Sequence, residues 1–143
     1  MLGKIKEMIT GKPQVKIDFG KYRVLVVEDG VLDQRVVLDI LQKQGFVTAL
    51  ANNGQEGLDK AKEFKPDVII LDCEMPVMGG VEMCKILKQT EGISKTPIVF
   101  LTSLDTPKNI IDCFELDAEN YLSKPVSPKI LLSEVFNVLK ITL

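Results

Sequence analysis

Glu28, Asp29, Asp72, Thr102 and Lys124 each stand at or just past the carboxyl end of an apolar, strand-like run, and in chain order they read acid pair, acid, hydroxyl, amine. Strands of a parallel sheet all point one way, so residues that close separate strands converge on one edge, where open α/β sheets place their ligands. Three carboxylates gathered at such an edge require a cation. Mg²⁺ is the hard ion that combines one or two carboxylates with phosphate oxygens and water. An aspartate nucleophile, a hydroxyl and a lysine around that ion point to phosphoryl transfer onto a carboxylate.

The elements that must position these residues follow from the apolar pattern. From residue 22 onward, short Val/Ile/Leu/Phe runs alternate with longer segments of helical period, giving five βα units and predicting a parallel sheet. Tyr22 to Val27 forms the first strand, and Leu32, Val36, Val37, Ile40 and Leu41 then recur at helical spacing until Gly45. A second strand spans about Val47 to Ala51, with a helix through Gly57, Leu58, Ala61 and Phe64. Val68-Ile69-Ile70-Leu71 is continuously apolar, as a central strand covered on both faces should be, and Asp72 ends it. A third helix carries Val81, Cys84 and Leu87, a fourth strand follows Pro97, and a fourth helix spans about Lys108 to Leu116. Asn120 to Ser123 is a short fifth strand, after which Ser127 as N-cap and Pro128 in the first turn open a last helix. The expected fold is α/β, a doubly wound five-stranded parallel sheet of flavodoxin-like (βα)₅ type with strand order 2-1-3-4-5.

A chain of 143 residues, 45% hydrophobic and 27% charged, has the composition of one globular domain. Its net charge of −2 gives no reason to expect nucleic acid as a partner. No apolar run approaches the roughly 20 residues that span a bilayer. Lys4, Lys6 and Glu7 break up the apolar residues that a secretory leader would need, so a cytoplasmic location without membrane association is expected. Residues 1–21 hold five lysines against two acids and read as a basic extension to a domain over 22–143. Cys73, Cys84 and Cys113 form no C-x-x-C pair and are expected as reduced core thiols. The chain has no histidine, which excludes Ser-His and Cys-His nucleophile pairs and any phosphohistidine of its own. Phosphate drawn from a histidine would have to come from another protein.

From about Tyr22 to Leu139 the sequence resembles the receiver domain of two-component response regulators, through Val26-Val27-Glu28-Asp29, Asp72-Cys73-Glu74-Met75-Pro76-Val77-Met78-Gly79-Gly80, Thr102-Ser103 and Lys124-Pro125. The resemblance implies that Asp72 is the phosphoacceptor. It implies that Glu28, Asp29, Asp72 and the backbone carbonyl of Glu74 hold Mg²⁺, and that Lys124 pairs with Asp72 and later with a phosphoryl oxygen. Thr102 would donate its hydroxyl to the phosphoryl group, the small Ser103 would keep the approach open, and Pro125 would follow a cis peptide bond. Tyr121 occupies the family's aromatic switch position, coupling the Thr102 movement to the face made by the fourth helix, the fifth strand and the last helix. Glu74 stands where the family tunes hydrolysis of the acyl phosphate. Gly79 replaces a frequent Asp or Asn, and because all three tolerate left-handed backbone, little consequence is expected.

The expectation is therefore a stand-alone receiver, phosphorylated by a histidine kinase or histidine phosphotransfer protein and signalling to a downstream target protein as a monomer or a phosphorylation-dependent dimer. It would catalyse only its own phosphorylation and dephosphorylation, without being a turnover enzyme. A small-molecule phosphohydrolase would be expected to show D-x-D where this chain has Asp72-Cys73-Glu74, and no P-loop of kinase type is present. A degenerate receiver serving as a scaffold would need no Mg²⁺.

Overall fold

The computed structural model describes residues 16–103 and 120–142. Five strands, β1 (Arg23–Val27), β2 (Val47–Ala51), β3 (Val68–Asp72), β4 (Ile98–Thr102) and β5 (Asn120–Ser123), form one sheet in the order β2-β1-β3-β4-β5, with every pairing parallel. This is the expected order. The described helices are α1 (Val31–Gln44), α2 (Gly54–Phe64), α3 (Gly80–Lys88) and α4 (Pro128–Leu139). The helix expected at 108–116, the first fifteen residues of the basic extension, and Cys113 lie outside the described residues.

Side-chain alternation along the strands splits the core in two. Val24, Val26, Val68, Ile70, Val99 and Leu101 pack with Val37, Ile40 and Leu41 of α1 and with Leu131 and Val135 of α4. Their neighbours Leu25, Val27, Ile69, Leu71, Ile98 and Phe100 pack with Leu58 and Ala61 of α2 and with Met83, Cys84 and Leu87 of α3. Being central, β3 is buried along its whole length, which explains its unbroken apolar run before Asp72. Leu32 and Val36, which share the helical spacing of α1, point outward and are 78% and 47% exposed. Among the described residues no helix is long and apolar enough to cross a membrane.

Local chemistry sets the helix ends that frame the site. Gly45 closes α1 at φ +110, and its amide donates to the carbonyls of Leu41 and Gln42. Asn53 caps α2 by accepting from the Glu56 amide at 2.9 Å, while the Glu56 carboxylate accepts from the Asn52 amide at 2.7 Å. Ser127 accepts from the Ile130 amide at 3.1 Å with Pro128 in the first turn, as the sequence predicts. At the start of α3, Gly80 lies so close over the end of β3 that a β-carbon there would overlap the Asp72 carbonyl oxygen.

The loop before α3 corrects one expectation. Gly79 is extended, at φ −76, and caps α3 with no side-chain hydrogen bond, so an Asp or Asn at this position would add a helix cap and would not serve a left-handed turn. The left-handed residue is Val77, at φ +70, the centre of a tight turn closed by a 2.8 Å hydrogen bond from the Met78 amide to the Pro76 carbonyl.

At the other edge of the sheet, Asp18 caps the short 3₁₀ turn Phe19–Lys21. This sets the Phe19 ring 5.4 Å from that of Phe46 and 5.6 Å from that of Phe136.

Candidate functional site

The register brings the five polar residues together. Val27 pairs with Leu71, Asp72 with Leu101 and Thr102 with Ser123, so Glu28 and Asp29 leave β1 beside the end of β3, and Thr102 closes β4 next to the end of β5. Carboxylate oxygens of Glu28, Asp29 and Asp72 all lie within 4.8 Å of one another. Glu28 and Asp72 are buried, at 1% and 5% exposure, whereas Asp29 faces solvent. Lys124 reaches over from the end of β5, its Nζ 2.7 Å from Glu28 Oε2 and 3.2 Å from Asp72 Oδ2. Its amide donates to the Thr102 carbonyl at 2.9 Å, and the Lys124-Pro125 peptide bond is cis.

Burial pushes both the Glu28 and the Asp72 carboxyl above the usual carboxylate range, outweighing the neighbouring Lys124 ammonium, which pulls each down. Burial alone would lower the Lys124 ammonium, but Glu28 and Asp72 together hold it well above the usual lysine value. The amine is therefore charged throughout the physiological range, and the acid cluster is short of positive charge.

These residues fit a divalent ion. Glu28 Oε2 is fully buried and makes no directed hydrogen bond; its 2.7 Å approach to Lys124 is an ion pair off the hydrogen-bond axis. Three clustered carboxylates, one of them solvent-facing, supply oxygen donors of the kind Mg²⁺ takes. Around them, Thr102 is buried at 6% exposure and Ser103 is exposed. The Glu74 side chain is also exposed, while its amide donates to Asp72 Oδ1 at 3.3 Å. Tyr121 is half-buried, pairs in register with Phe100 and packs against the core beneath α2 and α3.

Residues beyond the sequence reading also enter the site. Asp33 Oδ2, in the first turn of α1, lies 3.3 Å from Lys124 Nζ. Gln34 is buried and donates to the Glu28 carbonyl at 2.6 Å and to Asn52 Oδ1 at 2.8 Å, tying the acid loop to the start of α2. The available signal was their position: polar residues in the first turn after an acid loop sit on the same sheet edge as the loop.

The raised Glu28 carboxyl predicts a pH-dependent stability. A carboxyl whose folded pKa exceeds its unfolded value contributes its full stability below the unfolded pKa and loses it as pH rises through the folded one. Glu28→Gln is therefore expected to unfold at a higher temperature than the wild type at pH 7 without metal. The gap should close as pH falls through the carboxylate range. Thermal unfolding of both proteins from pH 4 to 7.5 in chelator checks this, and a gap that is constant with pH would assign the effect to packing.

A family model described as the response regulator receiver domain matches residues 24–136. The "Probable transcriptional regulator ycf29" of Pyropia yezoensis is 36% identical over 82% of this chain and 53% of its own length. The "DNA-binding response regulator MtrA" of Mycobacterium bovis is 32% identical over 83% of this chain and 51% of its own. The crystal structure of the signal receiver domain of a signal transduction histidine kinase from Syntrophus aciditrophicus superposes with a TM-score of 0.78 at 30% identity, covering 83% of this chain and 90% of that one. The chain spans about half the length of the curated relatives it matches. These relatives overturn the expectation that nucleic acid has no place among the partners, since a protein named as DNA-binding carries the same kind of domain. The charge argument failed because a net charge of −2 describes only the residues that bear it, and receivers of this kind occur within longer proteins.

Proposed function

This chain belongs to the response regulator receiver domain family, and we propose that it accepts a phosphoryl group on Asp72 from a phosphohistidine of a histidine kinase or histidine phosphotransfer protein. The observation that carries this reading is the Lys124 ammonium seated between buried Glu28 and Asp72 beside a cluster of three carboxylates. An Asp72 carboxylate oxygen forms the new O–P bond as the donor's P–N bond breaks, and the departing imidazole nitrogen keeps the electron pair. Lys124 holds the attacking carboxylate in place and then neutralises a phosphoryl oxygen, since such transfers are mostly positioning and charge compensation. Glu28, Asp29, Asp72 and the Glu74 carbonyl would hold Mg²⁺, which when bound neutralises phosphoryl oxygens and orients them for in-line attack.

The Thr102 hydroxyl and the Lys124 ammonium then hold the phosphoryl group. Drawing Thr102 inward frees space that the Tyr121 ring fills, altering the surface of β5 and α4 that a target protein reads. Moving a two-state equilibrium from 1:99 to 99:1 takes about 5.5 kcal/mol, so these charge-assisted contacts act as a set. The exposed Glu74 carboxylate sets how readily water attacks the acyl phosphate. The protein acts only on its own aspartate, within a receiver body over 22–143 whose upstream extension, 1–21, is basic.

The test incubates the protein with Mg²⁺ and phosphoramidate, whose P–N bond imitates phosphohistidine. Intact mass is expected to show one added phosphoryl group that survives acid, is cleaved by base and fails to form in chelator. A protein that stays unmodified under all conditions would support the scaffold reading.

A further inference from the structure

Lys124 is paired with three carboxylates, at 2.7 Å (Glu28), 3.2 Å (Asp72) and 3.3 Å (Asp33). Glu28 and Asp72 also belong to the cluster that fits a divalent ion, and Asp33 does not. An arriving cation and the resident ammonium thus draw on the same two buried carboxylates. Asp33 offers the amine an anchor that the cation leaves alone. Its side chain is half-exposed, so its charge needs little desolvation, and it sits in the first turn of α1, where aligned backbone N–H groups favour an anion.

We propose that Asp33 is a positioning residue that shares the Lys124 ammonium, holding it at the α1 side of the site so that Glu28 and Asp72 can turn to a divalent cation. This rests on the phosphoacceptor reading of the same site. Asp33 acts through Lys124, so its effect on cation binding must disappear when the amine is removed.

The experiment measures apparent Mg²⁺ affinity from the dependence of the unfolding midpoint on Mg²⁺ concentration, in the wild type, Asp33→Asn, Lys124→Met and the double variant. Asp33→Asn is expected to weaken Mg²⁺ binding about fivefold in the wild-type background, the size of a strong half-exposed ion pair, and less than about twofold in the Lys124→Met background. An equal loss in both backgrounds would reduce Asp33 to one more negative charge in the general field and overturn the proposal, as would an unchanged affinity in Asp33→Asn alone. A wild-type midpoint that ignores Mg²⁺ would instead remove the phosphoacceptor reading beneath it. Asp33 is partly exposed, and the metal-free midpoints of the same four proteins verify that each is folded.

Discussion

Asp72→Asn is expected to lose the phosphoryl adduct altogether, with incorporation from phosphoramidate at least about 100-fold below the wild type, while the protein remains folded. The amide oxygen is a poor nucleophile and carries no charge to pair with Lys124, which in the wild type lies 3.2 Å from Asp72 Oδ2. The substitution is nearly isosteric in a position only 5% exposed, so packing is kept. Asp72→Asn also removes a carboxyl whose ionisation burial opposes and takes away the repulsion Asp72 exerts on buried Glu28, so the metal-free variant should unfold no earlier than the wild type. Mg²⁺ should stabilise it less, because one of the three clustered donors is altered. Intact mass and thermal unfolding with and without Mg²⁺ measure both effects. An adduct that persists in Asp72→Asn would move the acceptor to another residue.

Gly80→Ala is expected to destabilise the protein by about 3 kcal/mol, the upper part of the usual range for overpacking, and to lower the midpoint by roughly 10 °C. A methyl group there would overlap a backbone carbonyl, which cannot rotate away as a flexible side chain could. The carbonyl belongs to Asp72, so relief of the overlap must shift the phosphoacceptor or lift the first turn of α3 from β3. Mg²⁺ stabilisation should therefore fall along with the midpoint. Gly57→Ala makes the comparison, since there the nearest atoms are the Sδ and Cε of Met83, which can move. A Gly80→Ala protein as stable as Gly57→Ala would show that the β3–α3 junction yields easily.

The parts of this architecture that depend on period and strand ends were legible in the sequence. The unbroken Val68-Ile69-Ile70-Leu71 run identified a strand buried on both faces, and with parallel strands the placement of Glu28, Asp29, Asp72, Thr102 and Lys124 on one edge followed. What escaped were contacts set by side-chain reach. Asp33 lies 91 positions from Lys124, and no local pattern announces that its carboxylate turns back toward the amine. Leu32 and Val36 fit the α1 period yet stay exposed, because a period of 3.6 defines a stripe without fixing how wide a stripe the sheet covers. The expectation that Gly79 in place of Asp or Asn has little consequence rested on tolerance of left-handed backbone, whereas Gly79 is an extended helix cap and Val77 takes the turn.

The contacts of Phe19 with Phe46 and Phe136 anchor the segment before β1 to the amino edge of the sheet, whereas Asp72 and Lys124 lie at the carboxyl edge. At about 3.3 Å per residue, the five residues of β1 set these two poles roughly 16 Å apart. Phe19 and the 3₁₀ turn it opens thus lie at the pole remote from the chemistry. A phosphodonor approaching Asp72 therefore comes to the sheet from the end opposite this aromatic anchor.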